Sequence, residues 1–229
     1  MTPTRERLAS LPRVSCRAVI FDFNGTLSDD EPVLYRIYAE LFAEHGRPLP
    51  ERDYYDRLAG HSDAEIVHRW LGSRDDSDAV VNRRVTRYRE LVADGSTITA
   101  AVRQAVASAA ARVPVAIVSG ASAAEIRPVV AAAGLETAFT TVVTADDVRY
   151  AKPHPEGYEI ALRRLGGRAP GLRPDEVTVL EDTEAGVAAA KAAGMRCIAV
   201  GRTLARDRLA AADEIVPGVD EALIDRILA

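Results

Sequence analysis

Lysine is almost missing from this sequence. Of 29 basic side chains only Lys152 and Lys191 are lysines and the remainder are arginines, so any step needing a primary amine falls to those two or to the N-terminus. Cysteine is as sparse: Cys16 and Cys197 stand alone, follow no metal-ligand spacing and each flank an expected strand, which excludes a disulfide framework and reads as two buried thiols. No apolar run approaches the roughly 20 residues that cross a bilayer. Residues 1–17, with Arg5, Glu6 and Arg7 ahead of a broken apolar stretch, lack the core of a signal peptide, and the expected location is the cytoplasm. There is no excess of positive charge either. A net charge of -5 argues against nucleic acid as a partner.

What is present describes a globular enzyme-sized chain. With 229 residues, 48% hydrophobic and 28% charged, it exceeds one average domain and falls short of two, which suggests one core domain carrying an insertion. Ala18 to Phe21 is a short, β-branched and aromatic run suited to a strand buried on both faces of a parallel sheet. Residues 30–95 then read as helical. Val33, Leu34, Ile37, Tyr38, Leu41 and Phe42 share one face of a first helix; Tyr54, Tyr55 and Leu58 mark a second; Ser62-x-x-Glu65 is a capping box opening a third. Val81, Val85, Tyr88, Leu91 and Val92 give a fourth. From residue 96 the texture alternates: helices at 99–112, 122–133, 156–165 and 184–193, apolar runs at Val113–Val118, Phe139–Val143, Val177–Leu180 and Cys197–Val200, a weaker helix, Glu214–Val216 and a final helix. This is βαβ grammar. The expected architecture is an α/β, doubly wound, Rossmann-like parallel sheet, residues 16–29 and 96–229, with a four-helix insertion, residues 30–95, directly after its first strand.

The strand ends carry polar residues that packing does not require. Asp22 interrupts the first strand where open α/β sheets bind ligands, and Gly25-Thr26 lets the chain turn away. Val115–Val118 ends in Ser119-Gly120, a hydroxyl and a loop N–H before a helix N-terminus, favourable for an anion. Lys152, scarce in this chain, stands in Tyr-Ala-Lys-Pro-His-Pro-Glu between stiffening prolines. Val177–Leu180 ends in Glu181-Asp182, two adjacent carboxylates that repel each other unless a cation lies between them. The set fits phosphoryl transfer: Mg²⁺ between Asp22, Asp182 and a phosphate oxygen, Ser119 and Lys152 on the remaining oxygens, and Asp22 as nucleophile forming an aspartyl phosphate. Gly120, Gly25 and Thr26 join Ser119 and Lys152 as phosphate-binding candidates.

At Phe21-Asp22-Phe23-Asn24-Gly25-Thr26-Leu27, Val118-Ser119-Gly120, Lys152-Pro153 and Val179-Leu180-Glu181-Asp182-Thr183, followed by Gly186 and Ala192-Ala193-Gly194-Met195, the chain resembles the haloacid dehalogenase superfamily, in its phosphatase and β-phosphoglucomutase-like branch with a helical cap. The resemblance implies Asp22 as nucleophile, the Asn24 backbone carbonyl and the Asp182 carboxylate as Mg²⁺ ligands, and Glu181 as an acidic neighbour acting directly or through water. It implies that Ser119 and Lys152 hold phosphate, that Lys152 also neutralises Asp22, and that the helical insertion is a mobile lid. The expected partner is a small phosphorylated metabolite, with no nucleic acid and no membrane, and the chain as monomer or homodimer.

One residue departs from that pattern. Family phosphatases carry a second aspartate two residues after the nucleophile as general acid and base; here it is Asn24, whose amide cannot transfer a proton, which puts a factor of about 10² to 10⁴ at risk. A phosphonatase would need a cap lysine, and residues 30–95 contain none. Dehalogenases of the family usually need no metal, whereas Lys152, Glu181 and Asp182 together resemble the metal-using branch. A mutase would lack its acid, and carries Gly60-His61-Ser62-Asp63 where mutases place a phosphate-binding arginine. The readings left are a Mg²⁺-dependent phosphohydrolase, for an ester or an acyl phosphate, with His61, Asp63 or His45 as substitute proton donors, and a noncatalytic phosphate- or metabolite-binding protein. Arg36, Arg52, Arg57 and Arg69 are the insertion's candidate anion-binding residues.

Overall fold

The computed structural model describes residues 15–72 and 76–229, so the N-terminal reading of residues 1–14 lies outside the described part. Six strands form one parallel sheet: β1 Ala18–Phe21, β2 Val115–Val118, β3 Thr141–Val143, β4 Val177–Glu181, β5 Arg196–Val200 and β6 Glu214–Val216, in the order β3-β2-β1-β4-β5-β6. The expected doubly wound sheet is what forms, with β1 at its centre. Every residue of β1, β2 and β4 is buried, which is why these strands read as unbroken apolar runs rather than as alternations. Each large side chain wholly buried there contributes about 1.5–3 kcal/mol. The register sets Phe21 beside Ile117 on one side and Leu180 on the other. The residues after these three positions therefore emerge along one edge of the sheet.

Helices α5 Ala100–Ala110 and α9 Glu221–Ile227 pack together over one face, and α7 Glu156–Leu165 and α8 Glu184–Ala192 over the other, while α6 Ala123–Ala132 follows β2. Between β1 and residue 95 the described chain forms four helices: α1 Glu31–Glu44, α2 Glu51–Arg57, α3 Asp63–Leu71 and α4 Ser77–Leu91. α4 packs against both α1 and α3, and Tyr35, Tyr38, Phe42, Tyr54 and Tyr55 form an aromatic cluster joining α1 to α2. The Ser62–Glu65 capping box is present in full, and Gly72 ends α3 with φ +81°, a conformation that favours glycine. No helix among the described residues is long and apolar enough to cross a membrane.

Several expected elements shift. The second strand begins at Val115 rather than Val113, because the Val113 N–H still bonds to Ala109 at the end of α5 and Pro114 has no N–H to give. The third begins at Thr141; Phe139 instead meets Phe21 edge-on, with ring centroids 6.4 Å apart. The weaker helix expected between β5 and β6 is absent: residues 201–213 form successive turns, whose side chains reach outward. Arg208 bonds to Glu184 and to the Tyr55 carbonyl, and Arg202 to the carbonyls of Gly25 and Thr26. On α4 the buried stripe is Val80, Arg84 and Tyr88 rather than one through Val85 and Leu91; Leu91 is exposed. An arginine thus occupies the middle of the inward face.

Candidate active site

Three strand ends and one loop bring the expected residues together. Asp22 follows β1, Ser119 follows β2, and Glu181 and Asp182 end β4; all four are buried. Lys152 reaches in from the loop before α7. Its Nζ donates to Asp22 Oδ1 at 2.6 Å, to Glu181 Oε1 at 2.5 Å and to the Val118 carbonyl at 3.1 Å, so one ammonium ties β1, β2 and β4 together. The loop carrying it is fixed by Glu156, which accepts from the N–H groups of Arg149 and Tyr150, and by His154, whose Nδ1 accepts from Glu156 N. His154 shapes the loop.

Glu181 is fully committed. One oxygen accepts from Lys152 and from Tyr158 Oη at 3.0 Å; the other accepts from the N–H groups of Asp182 and Thr183 and from the Thr183 hydroxyl. α8 begins against this carboxylate. A Cβ added to Gly186 would lie 1.8 Å from Glu181 Oε1. Gly186→Ala is therefore expected to push Glu181 off its partners and release Lys152, costing about 1–3 kcal/mol, read as a lower urea midpoint, together with loss of phosphate release. An unchanged midpoint would mean that the Glu181 carboxylate can relocate without loss. Gly25, at φ +70°, is fixed in the same way, since a Cβ there would lie 1.9 Å from Asp182 Oδ2.

The electrostatics are unbalanced. Burial pushes the Asp22 carboxyl up to about 7, with Glu181 adding to the shift and Lys152 opposing it. Burial, Asp22 and Glu181 together raise Asp182 well above the ordinary carboxylate range. Glu181 goes the other way: burial alone would raise it, but Lys152 and two backbone N–H groups hold it low. Burial likewise works against the Lys152 charge, and the two carboxylates outweigh it. Three carboxylates, with ligand atoms within 4.8 Å of one another, thus share one lysine, and Asp182 Oδ1 is buried with no hydrogen-bond partner. An orphaned carboxylate oxygen in an anionic cluster fits a hard divalent cation.

Asn24 lies partly exposed beside this cluster, but its side-chain amide is directed to the start of the helical block. Its Nδ2 donates to Asp30 Oδ2 at 2.8 Å and contacts Tyr88 Oη at 3.2 Å; Tyr88 itself donates to Asp30 at 2.5 Å. Gly25 and Thr26, expected at the phosphate, are placed differently. The Gly25 N–H donates to Asp30 Oδ1, and Thr26 is wholly buried with its hydroxyl unpartnered, because the turn after Asp22 folds inward; neither lines the cavity. Ser119, whose hydroxyl accepts from Ala121 N, and Gly120 do line it.

That cavity, of about 810 Å³, lies between the helical block and the strand ends. Its other walls hold Asp63 and His61, already candidates, together with Glu31, Arg84 and Glu125, which the sequence did not mark. Arg84 pairs with Asp63 at 3.3 Å and with Glu125, and its ring of neighbours includes Tyr38, which donates to Asp63 at 2.6 Å. Glu31 accepts from Tyr54 Oη at 2.8 Å, and burial pushes it up to about 7. His61 lines the wall, 4.0 Å from Glu65, and burial lowers its pKa; His45 is engaged with Leu41 and Asp76 away from the cavity. The expected arginines Arg36, Arg52, Arg57 and Arg69 are all exposed, Arg52 and Arg57 pairing along their own helix. Arg84 stands four residues from both Val80 and Tyr88, a spacing too faint to single it out on a helix that also carries Arg83, Arg87 and Arg89.

A parallel sheet with an aspartate at the end of its central strand, a lysine bridging it to a second acidic strand end, and a helical block over the opening defines a hydrolase class, and the chain belongs to it: residues 19–200 match the haloacid dehalogenase-like hydrolase family. Its relatives place it on the phosphatase branch. The chain is 29% identical to validoxylamine A 7'-phosphate phosphatase of Streptomyces hygroscopicus subsp. limoneus, over 90% of this chain and 95% of that protein. It is 30% identical to the phosphorylated carbohydrates phosphatase of Thermotoga maritima, over 79% and 83%. Among solved structures, CbbY from Rhodobacter sphaeroides in complex with phosphate superposes with a TM-score of 0.75 at 26% identity, covering 89% of this chain and 95% of that one.

Proposed function

We propose that this chain hydrolyses the phosphate monoester of a small metabolite through an aspartyl phosphate on Asp22. The observation that carries the reading is Lys152 Nζ, held between Asp22 and Glu181 in the wall of a cavity that Ser119 and Asp182 also line. In this reading Lys152, the Ser119 hydroxyl and the Gly120 N–H hold three phosphate oxygens. An Asp22 carboxylate oxygen attacks phosphorus in line, and the ester P–O bond breaks with its electron pair leaving on the alcohol oxygen. Water then attacks the same phosphorus, the P–O bond to Asp22 breaks and leaves it a carboxylate, and the proton lost by the water balances the one the departing alkoxide takes up from solvent. Mg²⁺, held by Asp22, Asp182 and the Asn24 carbonyl, would supply charge to offset the crowding of anions there. Glu181, with both oxygens occupied, keeps Lys152 in place rather than joining the ligands directly. Residues 30–95 act as the lid on a core of residues 16–29 and 96–229, excluding water as they close.

One observation favours a second reading. The Asn24 amide is spent on Asp30 and Tyr88 and offers no proton to a leaving group. A noncatalytic phosphate- or metabolite-binding protein would tolerate that. Phosphate release from sugar phosphates, phosphoglycolate, nucleotides and acetyl phosphate, with Mg²⁺ or with chelator, separates the two. Metal-dependent release supports the enzyme; binding without release by a folded protein supports the second reading. Metal binding has its own readout. At about ten times its dissociation constant, Mg²⁺ is expected to raise the thermal midpoint by about 3–6 °C, and Asp182→Asn to remove that shift. An equal shift in Asp182→Asn would place the metal elsewhere.

A further inference from the structure

We infer that the cavity selects a hydroxyl-rich leaving group bearing no second anionic group, through Glu31, Asp63, Arg84 and Glu125. The inference deepens the phosphatase reading and rests on its phosphate end, Ser119 and Lys152. α1, α3, α4 and α6 each contribute one of these four side chains to the cavity wall.

Apart from Lys152, Arg84 is the one lysine or arginine lining the cavity among the described residues, and its charge is already used. It is more than nine-tenths buried and faces both Asp63 and Glu125. Glu31 accepts from Tyr54, and among the described residues no ion pair reaches it. Two carboxylates thus share one guanidinium, and Glu31 adds a third carboxyl group with no cation of its own. A second phosphate or a carboxylate on the leaving group would enter beside these carboxylates and meet no uncommitted cation, and like-charge juxtaposition of this kind is a strong rejecting element. A hydroxyl meets none of that opposition. It can donate to Glu31 or Asp63, both of which line the cavity. The Arg84 charge is offset by Asp63 and Glu125 together, so it offers an incoming anion little net attraction. Tyr38 and Tyr54, which donate to Asp63 and Glu31, keep those carboxylates oriented at the wall.

The test uses two open-chain six-carbon monophosphates that differ at one end, sorbitol 6-phosphate with a terminal CH₂OH and 6-phosphogluconate with a terminal carboxylate. Calorimetric titration into the full-length Asp22→Asn protein with Mg²⁺ present reads binding without turnover. Sorbitol 6-phosphate is expected to bind at least about tenfold more tightly. Adding Glu31→Gln, or Asp63→Asn as a second variant, should narrow that gap at least about threefold, chiefly by improving the affinity for 6-phosphogluconate. Equal or tighter binding of 6-phosphogluconate, a gap unchanged in both variants, or no binding of either compound would overturn the inference. The catalytic reading fails separately: preference for sorbitol 6-phosphate in binding, with no phosphate released by wild type, would leave the subsite standing and remove the reaction.

Discussion

Asp22→Asn is expected to lower phosphate release by about 10⁴-fold or more, the scale of loss when a covalent nucleophile is removed. An amide has no anionic oxygen to attack phosphorus, and no neighbour can substitute. Glu181 has both oxygens engaged by Lys152, Tyr158 and the start of α8, and the Asp182 carboxylate is the proposed metal ligand, held against the Gly25 turn. The fold should survive. Lys152 keeps Glu181 and the Val118 carbonyl as partners, and relief of the repulsion among three clustered carboxylates offsets the loss of its ion pair with Asp22. The thermal midpoint should stay within a few degrees of wild type. A readout beyond rate separates a nucleophile from a merely structural aspartate. Wild type quenched in acid during turnover should carry a protein-bound phosphate that hydroxylamine removes, as an acyl phosphate requires, and Asp22→Asn should carry none. Release within tenfold of wild type, or the same label on the variant, would refute the assignment.

The legible part of this molecule was the part that local sequence dictates. β1, β2 and β4 are buried on both faces, so each is an apolar run, and the first polar residue after each run falls at the edge where the register aligns them. Lys152 stood out because the chain has almost no other lysine, and the bridge it makes to Asp22 and Glu181 spans 130 and 29 residues. Glu181-Asp182 gave a metal-like pair, but which carboxylate keeps a free oxygen depends on Tyr158 and Thr183, which no spacing rule connects to it. The specificity wall was illegible for a related reason. Arg84 reads as one more arginine on an arginine-rich helix, and only the docking of α4 against α1, α3 and α6 turns it inward. Asp63 and Glu125 each sit in the first turn of a helix, where acidic residues are ordinary. Their approach to one guanidinium is a property of the assembled chain. Gly25 and Thr26 stand apart from the other expected phosphate-binding residues: the turn forms as expected, and neither residue lines the cavity.

Asn24→Asp is expected to raise the rate of ester hydrolysis by about 10² to 10⁴-fold while changing acetyl phosphate hydrolysis far less. An alkoxide leaving from a sugar or polyol phosphate needs a proton in the transition state, whereas acetate leaves readily without one, so a gain confined to esters identifies proton donation. The surroundings favour a protonated carboxyl at position 24. Asn24 Nδ2 now lies 2.8 Å from Asp30 Oδ2, and Asp30 is buried, which already raises its pKa despite hydrogen bonds from Tyr88 and Asn24. Two carboxyl groups at that separation cannot both ionise, and one proton is retained between them near neutral pH. The same contact carries a cost. Replacing a donor amide by a second acceptor leaves Asp30 with one hydrogen bond fewer unless the retained proton restores it, and a destabilisation of about 1–3 kcal/mol is expected above the pH at which the pair loses that proton. Asn24 also links the turn after β1 to α4 through Tyr88, so weakening that link should loosen the helical block and raise KM. A folded Asn24→Asp protein with an equal gain on both substrate types, or with none, would show that the leaving group is protonated by another residue. The amide at position 24 would then serve to hold Asp30 and Tyr88 together.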